Sequence, residues 1–240
     1  MRSNLIMPMG GAGTRFLNNG FECPKPLIDL CGEPFFKWAC DSVYGHIKLA
    51  SLTFVVLQEH IDRFAIDEKI RSYYPEAKIV KLPHVLNGAV LTAMEGAKTI
   101  VNDGPVLFCD CDLMFDCREL YDLYDSESFE ADGSLLTFTS DFDRYSYVET
   151  DNAGYAVRTA EKQVISSHAI TGAYGYRNAK LFLDAAEKYM DECEYNEYFM
   201  SGIYNILIRE GRKIKVLTVD ETTNFGTPEE YEAAVKKFSK

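Results

Sequence analysis

The chain has 240 residues, of which 47% are hydrophobic and 26% charged, so it is long enough to bury a sizeable core. Its 37 acidic and 25 basic residues give a formal net charge of −12, which repels polyanions and argues against partners such as nucleic acids or anionic membranes. No apolar stretch approaches the ~18–20 residues of a membrane-spanning helix. An odd count of seven cysteines indicates free thiols, so we expect a cytoplasmic protein.

The first half of the chain predicts strands and helices in alternation. Apolar runs predict strands at 4–9, 52–57, 77–82 and 105–115, and helical spacing predicts helices at 34–46, 61–73 and 88–101. Strand–helix–strand order favours right-handed crossovers and a mainly parallel sheet. Ligands bind beyond the carboxyl ends of the strands in such sheets, and both a glycine-rich loop and two aspartates follow predicted strands here.

The second half of the chain predicts a smaller β lobe and three helices. Runs of alternating hydrophobicity separated by turn signals predict strands at 133–140, 145–150, 155–159, 169–177 and 213–219. Helices are predicted at 178–192, at 196–210 and from Pro228 onward. We therefore expect one α/β domain over 1–240, with a Rossmann-like, mainly parallel but mixed sheet flanked by helices.

The glycine loop GGAGTR, Gly10–Arg15, directly follows the first predicted strand. Glycines let backbone N–H groups approach a ligand closely, successive N–H groups form an anion nest, and Arg15 adds a charged fork that suits phosphate. The simpler interpretation is a tight strand-to-helix connection. Phe16 stands where a dinucleotide fingerprint has its third glycine, and no Gly-Lys-Ser/Thr follows at the P-loop spacing, so neither motif is present.

A lysine between two prolines follows this loop. Pro24 and Pro26 each fix φ and disfavour helix, so we expect a stiff, extended mount for the cation of Lys25. A surface lysine needs no such mount. Arg15 and Lys25, at opposite ends of one loop, therefore predict a grip on a polyphosphate.

Further motifs follow in a fixed order along the chain. They are GGAGTRF, PKPLIDLCGEPFF, NGAVLTAMEGAKTIV, VLFCDCDLMF, VRTAEKQ, AITGAYGYRNAKLF and NFGTPEEY. This ordered set resembles the signature of the sugar-phosphate nucleotidylyltransferases, which make nucleotide-activated sugars. The resemblance implies a glycosyltransferase-A-like fold with a nucleotide-binding half over 1–125 and an acceptor-binding half over 126–240. The implied reaction is Mg²⁺-dependent nucleotidyl transfer from an NTP to a phosphorylated acceptor, with release of pyrophosphate.

The resemblance also implies a nucleotide site on the glycine loop. Residues that would line the base and the phosphates, partly through backbone, are Met9, Gly10, Gly11, Gly13 and Thr14, and Gly88 would contact the base. Arg15 and Lys25 match the basic residues that the family places on the triphosphate and the transition state. Together with Asp112 they are the expected catalytic residues.

The expected metal ligands lie in two motifs. Asp112 matches the family's metal-binding aspartate, and a carboxylate at a strand's carboxyl end suits Mg²⁺. Asp110 would share a face of an extended strand with it, either supporting the metal site or merely ending the strand with a charge. Asn224 stands where the family often has a second metal-ligating aspartate. It would therefore bring a neutral oxygen, or its role would pass to Asp220.

The expected acceptor site involves three residues. The resemblance implies that Glu161 binds acceptor hydroxyls, that Lys162 binds its phosphate, and that the acceptor rests against backbone at Gly172. Without the resemblance, a Glu-Lys dipeptide is an ordinary surface pair. The tyrosine-rich segment 143–149 is interpreted as half-buried packing.

Several alternatives stay open on the sequence alone. The base is undetermined, and the acceptor is either a sugar phosphate or a smaller alcohol phosphate such as phosphocholine, which would make the protein a cytidylyltransferase. A glycosyltransferase could use Asp110 and Asp112 as a metal motif, and it would release no pyrophosphate. A non-catalytic nucleotide-binding protein is favoured only by Asn224. A role in building surface or capsule polysaccharide follows from the family alone, and the oligomeric state, a homo-oligomer included, is open.

Overall fold

The computed structural model describes residues 2–126 and 129–239. The strands are β1 Ser3–Met9, β2 Asp29–Leu30, β3 Glu33–Pro34, β4 Leu49–Leu57, β5 Lys78–Leu82, β6 Val106–Cys109, β7 Leu113–Asp116, β8 Gly133–Thr139, β9 Tyr147–Thr150, β10 Ala156–Ala160, β11 His168–Tyr176, β12 Ile214–Thr218 and β13 Glu221–Asn224. The helices are α1 Thr14–Leu17, α2 Phe35–Asp41, α3 Gln58–Phe64, α4 Ile66–Tyr73, α5 Ala89–Ala97, α6 Arg118–Asp125, α7 Ala179–Glu192, α8 Met200–Arg209 and α9 Pro228–Phe238. Within these described ranges, every helix is too short or too polar to cross a membrane.

The central sheet runs through both halves of the chain in the order β10-β9-β11-β6-β1-β4-β5, with β8 paired to β11 and β12 paired to β8. β1 pairs in parallel with β4 and β6, and β4 pairs in parallel with β5, as the alternation of elements predicts. β11 pairs antiparallel with both β6 and β8, whereas β8 and β12 are parallel. The mixed, mainly parallel sheet flanked by helices confirms the predicted fold class.

The first strand shows why the apolar runs are continuous. Leu5, Ile6 and Met7 are all fully buried. Leu5 and Met7 pack in one core with Phe36 of α2, while Ile6 points to the opposite face and packs in a second core with Val90 of α5. Because helices cover both faces of the strand, both sets of alternating side chains must be apolar.

The prediction of one strand over 105–115 is wrong in one respect. The segment forms two strands, which belong to two different sheets. β6 belongs to the central sheet, whereas β7 pairs with β13 in a separate antiparallel pair. Between them the N–H of Asp110 donates to the carbonyl of Gly172 at 2.9 Å, and the carbonyl of Asp112 accepts from the N–H of Phe225 at 2.9 Å. The two carboxylates therefore lie at a break in the strand and do not share a face of one extended segment.

A second difference concerns the helix predicted over 61–73, which is two helices. α3 ends and α4 begins at Ala65, whose φ of 49° and ψ of 40° place it in the left-handed region. Alanine gives no sequence signal for that conformation, because glycine or asparagine is the usual residue there.

Strand β11 joins the sheet strands of the first half of the chain to those of the second half by changing partners along its length. Its residues 173–176 pair with β6, whereas Ala169 pairs with β9, and its register against β8 shifts between Ile170 and Tyr174. Gly172 lies at this shift with φ of +99°, which a side chain would strain. The bend brings backbone of β11 next to the strand break at Asp110.

Candidate functional site

Two clefts adjoin at the carboxyl ends of the central strands. The large cleft has a volume of about 430 Å³ and lies between residues 8–14 and residues 85–89, with Lys25 on its wall. The small cleft has a volume of about 180 Å³ and lies between β11 and the start of α9. Asp110 and Asp112 line both clefts, so a ligand in either one reaches the same pair of carboxylates.

The glycine loop forms the floor of the large cleft. The backbone leaves β1 at Met9, and every predicted loop residue from Met9 to Thr14 lines this cleft. A Cβ on Gly10 would lie 2.7 Å from Leu82 Cδ1 of β5, so a side chain there would require Leu82 to shift. A Cβ on Gly11 would meet no protein atom within 4 Å. Packing of the protein therefore does not require a glycine at position 11, and the space above it is open to the cleft.

Lys25 holds its charge beside the shared carboxylates. Pro24 is extended, with φ of −62° and ψ of 146°, but residues 25–27 form one 3₁₀ turn, so the expected extended mount is only half correct. Lys25 Nζ donates to Asp112 Oδ2 at 2.9 Å. Burial lowers the pKa of Lys25, but the charge of Asp112 and the hydrogen bond to it outweigh that effect, so the pKa lies above its usual value. The lysine is therefore a permanent cation.

The carboxylate of Asp110 occupies space that is free because residue 172 is a glycine. A Cβ on Gly172 would lie 2.7 Å from Asp110 Oδ2, so the predicted acceptor-side glycine also accommodates this carboxylate. Burial and then the charge of Asp112 raise the pKa of Asp110 to about 7, although Lys25 opposes the shift. Two carboxylates and one lysine thus share a half-buried space, which favours an additional cation next to the pair.

Gly88 lines the large cleft opposite the glycine loop, where the resemblance predicts a contact with the base. Its φ is +99°, and a Cβ there would overlap the backbone of Tyr198. The segments are tied together because the N–H of Val90 donates to the carbonyl of Tyr198 at 3.2 Å. A glycine is therefore required by this close backbone approach whether or not it contacts a base.

Arg15 lies in the small cleft, among residues that include Asp110, Asp112 and Arg144. Arg15 is the last residue of the glycine loop and belongs to α1, and it lines the small cleft rather than the floor of the large one. Arg15 therefore shares the small cleft with Asp112, whereas Lys25 lines the large cleft, and the grip of both residues on one triphosphate stays a prediction.

The start of α9 is held by Glu230. Its Oε2 accepts from the N–H groups of Gly226 and Thr227, each at 3.1 Å, while Thr227 Oγ1 accepts from the N–H of Glu230 at 3.2 Å, which completes a capping box. Its Oε1 accepts from the hydroxyl of Tyr145 at 2.6 Å and lies 3.0 Å from Arg144 Nη2. One carboxylate therefore fixes both the helix start and a tyrosine of the small cleft.

The side-chain amide of Asn224 has a hydrogen-bond partner at its nitrogen and, among the described residues, none at its oxygen. Its Nδ2 donates to the hydroxyl of Tyr145 at 3.4 Å. Its Oδ1 is buried and, among the described residues, has no hydrogen-bond partner. Since an amide oxygen and carboxylates are hard ligands, the orphaned Oδ1 in the same cleft as Asp110 and Asp112 fits a Mg²⁺ ion.

The structure gives less support to the other candidate cation sites. Asp220, considered as a substitute for Asn224, accepts the N–H of Arg118 at 2.9 Å at the start of α6 and does not line either cleft. In the described ranges no group of three or more His, Cys, Asp or Glu residues could hold a metal ion. The described chain therefore offers a mixed carboxylate and amide set at Asp112 and Asn224, with Asp110 beside it.

The predicted acceptor residues Glu161 and Lys162 do not line the small cleft. Glu161 Oε2 accepts from the hydroxyl of Ser201 at 2.9 Å and from that of Ser146, a residue that does line this cleft. Lys162 Nζ lies 4.7 Å from the centroid of the Phe199 ring. The structure therefore brings Glu161 next to the acceptor space and leaves Lys162 directed toward an aromatic ring.

Sequence reasoning missed Arg144 and Tyr145, which line the small cleft. They belong to the tyrosine-rich segment 143–149, which was interpreted as packing. The available signal was an arginine next to a tyrosine just before a short predicted strand. That signal is weak, because the partner of both residues, Glu230, is about 85 positions away in the chain.

Comparisons with solved structures support the fold. A nucleoside-diphosphate-sugar pyrophosphorylase from Vibrio cholerae RC9 superimposes with a TM-score of 0.84 at 23% identity, covering 97% of this chain and 99% of that one. The inositol-1-phosphate CTP transferase from T. maritima gives a TM-score of 0.77 at 17% identity, with coverage of 99% and 97%. A candidate glucose-1-phosphate thymidylyltransferase from Bacillus anthracis gives 0.77 at 16%, with coverage of 99% and 95%. No protein-family model and no curated protein sequence matches the chain. At these identities the chain is shown to have the α/β fold of solved nucleotidyltransferases.

Proposed function

We propose that the chain is a nucleotidyltransferase that moves a nucleotidyl group from an NTP to a phosphorylated acceptor and releases pyrophosphate. The observation that carries the proposal is the pair of clefts that share Asp110 and Asp112, with Lys25 bound to Asp112. A transfer reaction needs two ligands that meet at one charged centre, and this arrangement provides it. The fold is also that of structures described as an NDP-sugar pyrophosphorylase and a CTP transferase.

The NTP is assigned to the large cleft. Its glycine floor provides backbone N–H groups and room at Gly11, which suits phosphates that must approach the backbone closely. The base would lie toward Gly88, at the opposite wall. Lys25 would lie beside the leaving pyrophosphate and Arg15 beside the oxygens of the attacked α-phosphate, where negative charge gathers.

The acceptor is assigned to the small cleft. Ser146, Gly172 and Tyr174 line it, and Glu161 is held beside it by Ser146 and Ser201. Because Glu161 uses only Oε2 for these serines, Oε1 remains for an acceptor hydroxyl. Lys162 would turn from Phe199 to reach an acceptor phosphate.

Mg²⁺ is the proposed cofactor, held by Asp112 and Asn224 with Asp110 beside them. When bound, it would neutralise charge on the phosphate oxygens. The protein's own contribution is positioning and fixed charge, since phosphoryl chemistry needs little covalent help from side chains. The clefts would align an acceptor oxygen with the α-phosphorus, opposite the pyrophosphate, which would leave beside Lys25, while Arg15 in the small cleft would lie beside the α-phosphate oxygens.

We further propose a sugar phosphate as acceptor and an NDP-sugar as product, which would supply surface or capsule polysaccharide synthesis. The V. cholerae structure supports the sugar, whereas the T. maritima structure supports an alcohol phosphate with CTP as the second candidate. All seven cysteines are free thiols, which suits the reducing cytoplasm where NTPs are made.

The test is pyrophosphate release by the purified protein with Mg²⁺, each of ATP, GTP, CTP, UTP and dTTP, and a panel of sugar 1-phosphates and alcohol phosphates. We expect release with one NTP and one acceptor, and none from the Lys25→Ala variant. Transfer from a nucleotide sugar without pyrophosphate release would identify a glycosyltransferase instead. NTP binding without release or exchange of pyrophosphate across the panel would identify a nucleotide-binding protein without this activity.

A further inference from the structure

Asn224 raises an orientation problem that an aspartate at the same position would not have. An asparagine side chain ends in an oxygen on one side and an NH₂ group on the other, and only the oxygen binds a cation. Rotation of the amide by half a turn would put hydrogen-bond donors at the position that Oδ1 occupies and would repel a metal ion there. Some neighbour must therefore select one orientation.

The hydroxyl of Tyr145 is placed to make that selection. It has one proton, which it donates to Glu230 Oε1 at 2.6 Å, and an ionised carboxylate can only accept. Toward Asn224 the tyrosine oxygen can therefore offer only a lone pair, and it accepts from Nδ2 at 3.4 Å. The opposite end of the amide, Oδ1, is consequently the buried oxygen left without a partner among the described residues.

Glu230 is itself fixed in place. Its second oxygen accepts two backbone N–H groups at the start of α9, and Arg144 Nη2 lies 3.0 Å from its first oxygen. A carboxylate with these partners has little freedom to rotate or to release the tyrosine. The hydrogen bonds thus run in one direction, from Asn224 to Tyr145 to Glu230, and end at a rigid helix terminus.

We propose that Tyr145 is a positioning residue that holds the Asn224 amide with its oxygen toward the cation site. The proposal rests on the proposed function only in taking a divalent cation as the ligand of that oxygen. It predicts a dependence on context: Tyr145 matters for cation binding because residue 224 is an asparagine, and its hydroxyl becomes dispensable when residue 224 has oxygen at both ends.

The experiment is a double-mutant cycle read out by Mn²⁺ binding, with the free ion followed by electron paramagnetic resonance and neither NTP nor acceptor present. Tyr145→Phe is expected to weaken Mn²⁺ binding about 10-fold, a usual loss when a residue behind a metal ligand is removed. In the Asn224→Asp background the same substitution is expected to leave affinity within about 2-fold, so the two changes are strongly coupled.

The matched control is Tyr121→Phe, which removes a hydroxyl that donates to the carbonyl of Ser42 at 2.9 Å, away from both clefts. It should leave Mn²⁺ affinity unchanged, and thermal unfolding should show that all variants are folded. An equal loss from Tyr145→Phe in both backgrounds, no loss at all, or no Mn²⁺ binding by the unaltered chain would each overturn the proposal.

The result of this double-mutant cycle can be distinguished from the result of the pyrophosphate screen that tests the proposed function. Strong coupling together with a silent pyrophosphate screen would refute the reaction and retain Tyr145 as a positioning residue. Pyrophosphate release without coupling would retain the reaction and refute the role of Tyr145.

Discussion

The large cleft and the small cleft are built in different ways. The floor of the large cleft and its lysine come from one stretch of about twenty residues between β1 and the 3₁₀ turn at Lys25–Leu27. The small cleft collects residues from five separate segments, and its Tyr145–Glu230 contact joins residues 85 apart. A phosphate-binding site needs mostly backbone N–H groups, so a single loop can provide it. A pocket for a particular acceptor needs side chains from distant segments, which only the folded chain brings together.

The largest loss of turnover is expected from a substitution beside the carboxylates that both clefts share. Lys25→Ala should lower the turnover rate at least ~100-fold, because it removes a preorganised charge from the reacting centre. Lys180→Ala is the matched control, since that lysine pairs with Asp184 on the exposed face of α7. Steady-state kinetics of both variants check this, and near-normal turnover in Lys25→Ala would remove the lysine from the reaction.

The floor of the large cleft can be tested with two neighbouring glycines. Gly11→Ala adds a Cβ where no protein atom lies within 4 Å, so it should leave thermal stability unchanged. It should raise the KM for the NTP about 10-fold by intruding on the phosphates.

Gly10→Ala is the contrasting variant. Its Cβ would lie 2.7 Å from Leu82 Cδ1, so it should destabilise the fold by about 1–3 kcal/mol. If Gly11→Ala leaves the KM for the NTP unchanged, the phosphates do not approach this loop.

A substitution at the small cleft should change the KM for the acceptor rather than the KM for the NTP. Glu161→Gln should raise the KM for the acceptor about 10-fold by weakening hydrogen bonds to a charged oxygen, and it should leave the KM for the NTP unaltered. Glu149→Gln serves as the control because Glu149 pairs with Arg158 on the surface. A rise in the KM for the NTP alone would reverse the assignment of the two clefts.

The smallest effect on activity is expected at Asp220. Asp220→Ala should cost about 1 kcal/mol of unfolding free energy, because it removes the acceptor for the N–H of Arg118 at the start of α6. It should leave turnover unchanged, whereas Asp112→Asn should lower turnover because it alters the proposed metal ligand. Loss of activity in Asp220→Ala without loss of stability would return Asp220 to the list of metal ligands.

The same contrast explains how much the sequence could predict. The parallel sheet, the glycine loop and Lys25 follow from local patterns, namely apolar runs, glycines after a strand and prolines around a lysine. The strand break at Asp110 could not be read from the continuous run over 105–115, because its cause is hydrogen bonding to Gly172 and Phe225 elsewhere in the chain.

The acceptor side was predicted only through resemblance. Glu161, Lys162 and Gly172 carried no local signal of their own, and Arg144 and Tyr145 resembled ordinary strand residues. Their roles depend on Glu230 and Asn224, which reach the small cleft because β13 pairs with β7 and α9 begins next to it. Pairing between strands so far apart in the chain is set by the whole fold and not by either segment.

The most direct test of the central claim is a crystal structure of the chain grown with Mg²⁺ and whichever of the five NTPs it binds most tightly. The account predicts the triphosphate on the loop from Gly10 to Thr14, the base toward Gly88, and the α-phosphate beside Asp112. A nucleotide bound in the small cleft, or outside both clefts, would contradict the assignment of donor and acceptor on which the proposed reaction depends.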